Sequence, residues 1–506
     1  MPLSPDPALC RSLAADLRDA GFTADALRTA WGDSADAAIA RGVRAPAERA
    51  LAGRTDPVAV LARFFVLGLS QPAVALTATL RRTAVSGLVA LDLAAPEHDA
   101  TVAPRALIRP QELVDAAGDI QWWLASDLDE TALGGPLPEG HVLGVGGASL
   151  TLAGLQLPGH VARVLDVGTG CGIQALRARR DADHVVATDI SPRALFFTEF
   201  NAALNGVDGI EVRHGSLFAP VAGEQFDRVV SNPPFVITPR AEGVPAYEYR
   251  DGGLVGDALV AGFIRGVGEH LAPGGVAQLL GNWEYRDGED GLDRVRQWVA
   301  ASNMPLDAWV VEREVLDPLE YAELWIRDGG TVAGSPAFSR LVTAWLDDFA
   351  ARGVTGVGFG YVLLRRPESG APTLSRYERL TQAVPAPLGP HLQAALVVHD
   401  RLATLDDAQL AAAVLAVAAD VTEARHHLPG AEAPSVIELR QGGGFGRTLD
   451  VDPALAGLVG ACDGDLPVGV LIDAIADLLE VDAAALRADL LPRVRELLFT
   501  GFLTFA

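Results

Sequence analysis

The sequence predicts an α/β domain built on a mostly parallel sheet and set between two regions rich in helix. Two observations carry the prediction. From about Pro158, short apolar runs alternate with longer helix-like segments, the order expected when parallel strands are joined by crossover helices. The first of those runs ends in a glycine-rich turn, Gly168-Thr169-Gly170-Cys171-Gly172, and a helix begins near Ile173. That junction lets a backbone approach a ligand with no Cβ in the way.

Taken in order, residues 6–21, 23–41, 56–69 and 72–82 read as separate amphipathic or apolar helices. Residues 87–93 and 101–107 read as strands, so residues 1–139 are expected to form a helical, winged-helix-like N-terminal region. The central part, 140–369, carries strands at Val161–Val167, 185–188, Ile210–His214, Phe226–Ser231 and 275–280. Two later strands, 307–314 and 356–365, are placed as an antiparallel pair at the sheet edge, with a helix at 341–351 between them. Arg366-Pro367-Glu368-Ser369-Gly370-Ala371-Pro372 is rich in turn and breaker residues and marks a boundary. Beyond it, residues 370–506 are read as mainly helical. Helices at Val468–Leu479, 483–488 and 491–499 give the order of a second winged helix.

With 506 residues, 49% of them hydrophobic and 21% charged, the chain exceeds one ordinary domain and has ample material for packed cores. The apolar run 411–419 closes at Asp420; it falls short of the roughly 18–20 residues of a membrane span and reads as a buried helix. The segment Met1 to Asp6 lacks a basic stretch followed by an apolar core, so a cytoplasmic chain without a secretory leader is expected. Three scattered cysteines show no metal-ligand spacing; no metal site is expected. All forty basic residues are arginine, against sixty-five acids, for a net charge of −25. Such a surface repels phosphate backbones at long range and disfavours non-specific DNA binding. Residues 451–506 carry nine acids and three arginines, a poor composition for a DNA-reading helix.

A glycine-rich turn after a strand also serves dinucleotides, through the spacing G-x-G-x-x-G. Here Ile173 stands where that pattern wants its third glycine, and Asp166 precedes the turn. A carboxylate is awkward beside a pyrophosphate but suits a cationic, amino-acid-bearing ligand. At the end of the next strand, Asp189, followed by Ile190, can accept from both hydroxyls of a ribose. The strand after that ends in Gly215-Ser216-Leu217, a hydroxyl and an apolar group suited to an adenine. Each residue also has a plain structural reading: Asp189 as a helix cap, Ser216 as a turn serine.

Phe226-Asp227-Arg228-Val229-Val230-Ser231-Asn232-Pro233-Pro234-Phe235 is an apolar strand that stops at a polar residue, two prolines and an aromatic. Prolines cannot continue a ladder, and they stiffen the turn. A stiff turn can aim the Asn232 amide oxygen and the Pro233 carbonyl at one NH2 group while Phe235 covers a planar amide or base. Orienting both N–H bonds favours a pyramidal nitrogen able to attack a sulfonium methyl in line. No strong base is needed first, because the proton can leave afterwards.

Together these segments resemble the class I S-adenosylmethionine-dependent methyltransferases, over about Gly144 to Arg366. The resemblance implies a Rossmann-like, seven-stranded sheet and S-adenosylmethionine as cofactor. It places Asp166, Gly168, Thr169, Gly170 and Gly172 at the methionine end, Asp189 and Ile190 at the ribose, and Ser216 with Leu217 beside the adenine; the family often has aspartate where Ser216 stands. Asn232-Pro233-Pro234-Phe235 is similar to the motif of amino-methyltransferases, including release-factor glutamine methyltransferases and enzymes acting on adenine or guanine amino groups. It implies that Asn232 orients the acceptor beside the cofactor, Pro233 accepts a hydrogen bond and Phe235 stacks. Tyr249-Arg250-Asp251-Gly252-Gly253 also resembles a downstream segment of the glutamine branch.

The expected acceptor is a protein glutamine amide. An RNA base stands second and a DNA base third; a reading of another class is a cofactor-binding scaffold without chemistry. Other conspicuous residues are given structural readings. Trp122-Trp123 is assigned to packing, His426-His427 to a loop or helix end, Gly442 to Gly446 to a flexible turn, and Cys171 to a small position in the cofactor loop. Gly144 to Thr151 is a candidate cover over the cofactor.

Overall fold

The computed structural model describes residues 4–506 except 116–117, 136, 139, 246–249 and 385–386. The chain divides into two compact units, residues 1–153 with 159–379, and residues 154–158 with 380–506. Among the described residues, no helix is long and apolar enough to cross a membrane.

The main sheet of the first unit holds, among the described residues, eight strands: β1 (Val161–Val167), β2 (Ala182–Asp189), β3 (Ile210–His214), β4 (Phe226–Ser231), β5 (Leu271–Arg286), β6 (Asp307–Leu316), β7 (Val354–Arg365) and β8 (Ser375–Arg379). Their order is β8-β6-β7-β5-β4-β1-β2-β3. Only β7 runs against the rest, pairing antiparallel with β5 and β6. The eighth strand is an addition to the seven expected. Residues 375–379 lie past the breaker-rich segment and pair in parallel with β6 from Ala308↔Ser375 to Glu312↔Arg379. Buried aliphatics from the strands, such as Leu165, Val229, Leu279 and Val310, fill the core with α3 (Ala258–Gly266) and α4 (Gly291–Ala300) on one side.

Chain order reverses between β1 and β4, which lie side by side. In open α/β sheets such a reversal leaves a crevice beyond the carboxyl ends of the strands. The glycine-rich turn follows β1 and the Asn-Pro-Pro-Phe turn follows β4, so the topology delivers both to this crevice. α1 (Ile173–Arg179) and α2 (Pro192–Asn205) follow β1 and β2. Ser191 caps α2 through Ala194 N, Pro192 begins it, and Gly206 ends it in the left-handed conformation, the usual start and stop chemistry.

The N-terminal region opens with helices whose buried faces, including Cys10, Leu13 and Leu17, pack with Phe22, Phe64 and Phe65. Residues 84–90 form a helix rather than the start of the expected strand. A short apolar run does not distinguish a strand from a buried helix, and here the decision is tertiary: Leu88 is fully buried and a Cβ at Gly87 would lie 3.5 Å from Leu9 Cδ2. The larger surprise is a long hairpin, Leu107–Asp115 and Gly118–Ser126, paired from Leu107↔Ser126 to Asp115↔Gly118. It carries Trp122 and Trp123: Trp122 is buried, and Trp123 Nε1 donates to the Phe22 carbonyl at 2.6 Å.

The second unit is less helical than its sequence predicts. It holds helices such as Gly389–Ala403 and Ala483–Thr500 and two three-stranded sheets. The run read as a buried helix contains the strand Val414–Val417, central between Asp463–Pro467 and Leu503–Phe505. Two β-branched valines in four residues suit a strand paired on both edges. In the glycine-rich loop, Gly442 N donates to the Asp420 carbonyl and Gly443 N to its carboxylate at 2.7 Å. An acid therefore occupies the amides that a phosphate would need.

Candidate cofactor and acceptor site

A cavity of about 210 Å³ lies over the carboxyl ends of β1, β2 and β4. Gly168, Thr169, Gly170, Asp189, Ile190, Ser216, Leu217, Asn232 and Pro233 line it. Three expected residues do not. Asp166 and Gly172 lie behind the loop, and Phe235 lies beyond the Pro-Pro turn.

The loop's shape comes from its glycines and from the strand beside it. Gly168, Gly170 and Gly172 all have positive φ, a conformation that costs most residues a steric clash. Gly168 N and Thr169 N donate to the Thr188 carbonyl, and Gly172 N to that of Thr169. Gly170 N donates to Asp189 Oδ2 at 3.0 Å, while Ser191 N donates to Asp189 Oδ1 at 2.8 Å. Asp189 is thus held by the backbone on both oxygens. The same acid lines the cavity.

Asp166 is fully buried and accepts from Thr169 Oγ1 at 2.7 Å. Its other oxygen, Oδ1, meets no donor at hydrogen-bonding geometry. Burial raises its pKa to about 7; the Asp189 charge adds to the rise, and the Thr169 hydroxyl and the Ala175 amide oppose it. A buried carboxyl with an unused oxygen behind a ligand loop favours a cationic or donor-bearing neighbour.

The Asn-Pro-Pro-Phe turn is pinned on its outer side. Gly252 N donates to the Pro234 carbonyl and Val236 N to that of Arg250, while Asn282 Nδ2 donates to the Phe235 carbonyl at 2.8 Å. Tyr321 Oη accepts from Ile237 N at 2.9 Å and from Asn282 Nδ2 at 3.0 Å. Arg250 to Gly253 therefore buttress the turn, with Asp251 paired to Arg240; Tyr249 lies outside the described residues. The half-buried Phe235 ring meets Trp325 and Phe359 edge-on, with centroids 6.4 and 6.3 Å away. The Asn232 side-chain oxygen is buried and has no hydrogen-bond partner.

Sequence reasoning missed part of one wall. His141, Val142 and Leu143 line the cavity beside Gly144 and Ser149 of the candidate cover. Asp127 exchanges two bonds with Val142, through its own N–H and through Oδ2, and its Oδ1 pairs with Arg193 of α2. Gln174 of α1 donates to the Ser149 carbonyl at 2.7 Å. Burial lowers the pKa of His141, so it is a neutral wall despite Asp127 and Asp129 nearby. The glycines after Leu143 were the available sequence signal.

Residues 146–286 match the family described as Methyltransferase small domain. This stretch is a class I methyltransferase domain. Flanking residues 19–105 and 399–505 match two families described only as domains of unknown function. A release factor glutamine methyltransferase of Geobacter sulfurreducens is 36% identical over 125 residues, 23% of this chain and 44% of that protein. A ribosomal protein uL3 glutamine methyltransferase of Bradyrhizobium diazoefficiens is 33% identical over 151 residues, 28% of this chain and 46% of that protein. The chain thus spans under half the length of these relatives. The crystal structure of ribosomal protein L11 methylase from Lactobacillus delbrueckii subsp. bulgaricus covers 44% of this chain and 81% of its own, at 22% identity and a TM-score of 0.25.

The cofactor of the methyltransferase domain is S-adenosylmethionine, and the residues present fit it. Asp166 Oδ1 is an unpartnered acceptor behind the loop, Asp189 brings a carboxylate to the cavity, and Ser216 and Leu217 bring a hydroxyl and an apolar group to its lining. Leu217 itself sits at φ +46°, a strained setting for a branched side chain of the kind found at ligand sites.

Proposed function

We propose that the chain is an S-adenosylmethionine-dependent N-methyltransferase whose acceptor is the side-chain amide of a protein glutamine. One observation carries the reading. In the wall of the cofactor cavity, Asn232 presents a buried amide oxygen without a partner, on a segment, Pro234 to Ile237, held by four hydrogen bonds. An unpaired buried acceptor costs about 1–3 kcal/mol, and an incoming N–H removes that cost.

The bound cofactor supplies a methyl group made electrophilic by its sulfonium. The chain supplies orientation. Asn232 Oδ1 takes one N–H of the acceptor amide, and the Pro233 carbonyl takes the other. Holding both hydrogens on one side draws the nitrogen out of conjugation and turns its lone pair toward the methyl. The Pro-Pro backbone, fixed by Gly252 N and Asn282 Nδ2, keeps these acceptors from rotating away. Phe235, outside the cavity and packed against Trp325 and Phe359, serves this reading as a prop for the turn rather than as the stacking cover expected from the sequence. Two curated relatives with glutamine in their names support the acceptor class, as does the charge of −25, which opposes polyanions.

The test is transfer of labelled methyl from S-adenosylmethionine into extract fractions treated with ribonuclease or protease. Label that survives ribonuclease, is lost to protease and maps to methylglutamine by mass spectrometry is expected. Label lost to ribonuclease would transfer the proposal to an RNA amino group.

A further inference from the structure

The glycine-rich loop is held from behind by side chains of α2. Thr198 and Asn201, both fully buried, lie one turn apart. Thr198 Oγ1 donates to the Gly170 carbonyl at 3.2 Å, and Asn201 Nδ2 donates to the Cys171 carbonyl at 2.7 Å. Two successive carbonyls of the loop are therefore turned toward α2. A trans peptide is planar, with its N–H opposite its C=O, so the Cys171 N–H points away from α2. It has no backbone carbonyl acceptor among the described residues, whereas the other loop amides donate to Thr188, Asp189 and Thr169. The packing is close enough that a Cβ on Gly172 would lie 3.0 Å from Thr198 Cα.

Asn201 has a second set of bonds. Its Oδ1 accepts from Ala125 N at 2.7 Å, and its Nδ2 also donates to the Ala125 carbonyl at 3.0 Å. One turn on, Asn205 does the same with Trp123, accepting from its N–H and donating to its carbonyl, both at 2.9 Å. The spacing works because four residues of helix rise about 6 Å and two residues of strand about 6.6 Å. The two amides thus act as a surrogate neighbour for an edge of the hairpin 107–126, satisfying backbone groups that another strand would otherwise pair. Asn205 also donates to the Asn201 backbone carbonyl at 2.8 Å, and among the described residues it makes no hydrogen bond to the cofactor loop. Asn201 bonds to both the hairpin and the loop.

We propose that Asn201 is a positioning residue for the cofactor loop, through which the hairpin of the N-terminal region is built into the cofactor site. The inference rests on the methyltransferase reading only for its ligand arm. Asn201 spends its donors on two carbonyls, one in the hairpin and one in the loop, so the loop conformation depends on the hairpin being docked. Removing Asn201 frees the Cys171 carbonyl to rotate toward the cavity. Removing Asn205 takes away a hairpin tether of equal size and leaves the loop tie intact.

The experiment compares the full chain with Asn201→Ala, Asn201→Asp and Asn205→Ala. Amide hydrogen exchange of residues 168–173 is measured without ligand, and S-adenosylmethionine affinity by calorimetry. Asn201→Ala is expected to speed loop exchange and weaken binding about tenfold, one buried hydrogen bond's worth; Asn205→Ala keeps both near wild type at a comparable loss of melting temperature. Asn201→Asp keeps the acceptor for Ala125 N but loses both donations, and carries the test if the alanine variant does not fold. Equal effects of the 201 and 205 variants on loop exchange, or none from either, would overturn the proposal. Absence of cofactor binding by the wild-type chain would instead refute the methyltransferase reading, and the exchange data would still decide the role of Asn201.

Discussion

Replacing Asp166 with asparagine separates what the buried acid costs the fold from what it supplies to the cofactor. Its pKa stands at about 7 in the folded chain against an ordinary 3.8, chiefly through burial. A pKa raised by folding means that the folded chain holds the proton more tightly than the unfolded one. The resulting stability is fully present below about pH 4 and is lost as pH rises through 7. At about 1.4 kcal/mol per pH unit the whole loss is on the order of 4 kcal/mol, of which about 1.4 kcal/mol falls between pH 6 and 8. Asparagine keeps the shape and an acceptor for Thr169 but does not ionise. Asp166→Asn should therefore flatten the fall in stability between pH 6 and 8 while weakening S-adenosylmethionine binding tenfold or more. Urea unfolding at the two pH values measures the first effect. All eight tryptophans lie between residues 31 and 345, so their fluorescence reports the unit that contains Asp166. Equal pH slopes in the two proteins would refute the assignment of a strained, half-ionised acid. Undiminished cofactor affinity would refute its place in the site.

Asn232→Ala should lower methyl transfer at least a hundredfold while changing cofactor affinity less than about threefold, since Oδ1 is an acceptor-side contact; calorimetry with single-turnover transfer separates the two. Asp189→Ala should abolish saturable cofactor binding in the same titration, because the acid both holds Gly170 N and faces the cavity. Gly172→Ala combines φ +85° with a Cβ 3.0 Å from Thr198 Cα, and should cost about 1–3 kcal/mol in urea unfolding together with weaker cofactor binding.

Much of the sheet was legible because its strands are short, buried and bounded by turn residues. Val161–Val167, Ile210–His214 and Phe226–Ser231 occur as read. The misreadings share a cause. Residues 84–90 and 414–417 are apolar runs whose local pattern fits helix or strand, and neighbours distant in sequence decided between them: Leu9 beside Gly87, and two flanking strands around Val414 to Val417. The hairpin 107–126 went unrecognised because residues such as Arg109, Pro110 and Glu112 interrupt its apolar alternation.

The sequence by itself determined which residue types stand at the cavity. Glycines at 168, 170 and 172, an acid after β2 and Asn-Pro-Pro-Phe after β4 are local requirements of backbone conformation and donor–acceptor type, and local requirements leave local signatures. Only the tertiary structure decided how those parts are held and closed. Asn201 reaches Ala125 across 76 positions, Asp127 fixes Val142 while clasping Arg193, and Phe235 turns its edges to Trp325 and Phe359. Such contacts join residues whose own neighbours say nothing of the partner, because an amide or carboxylate can satisfy any complementary group that the fold brings within reach.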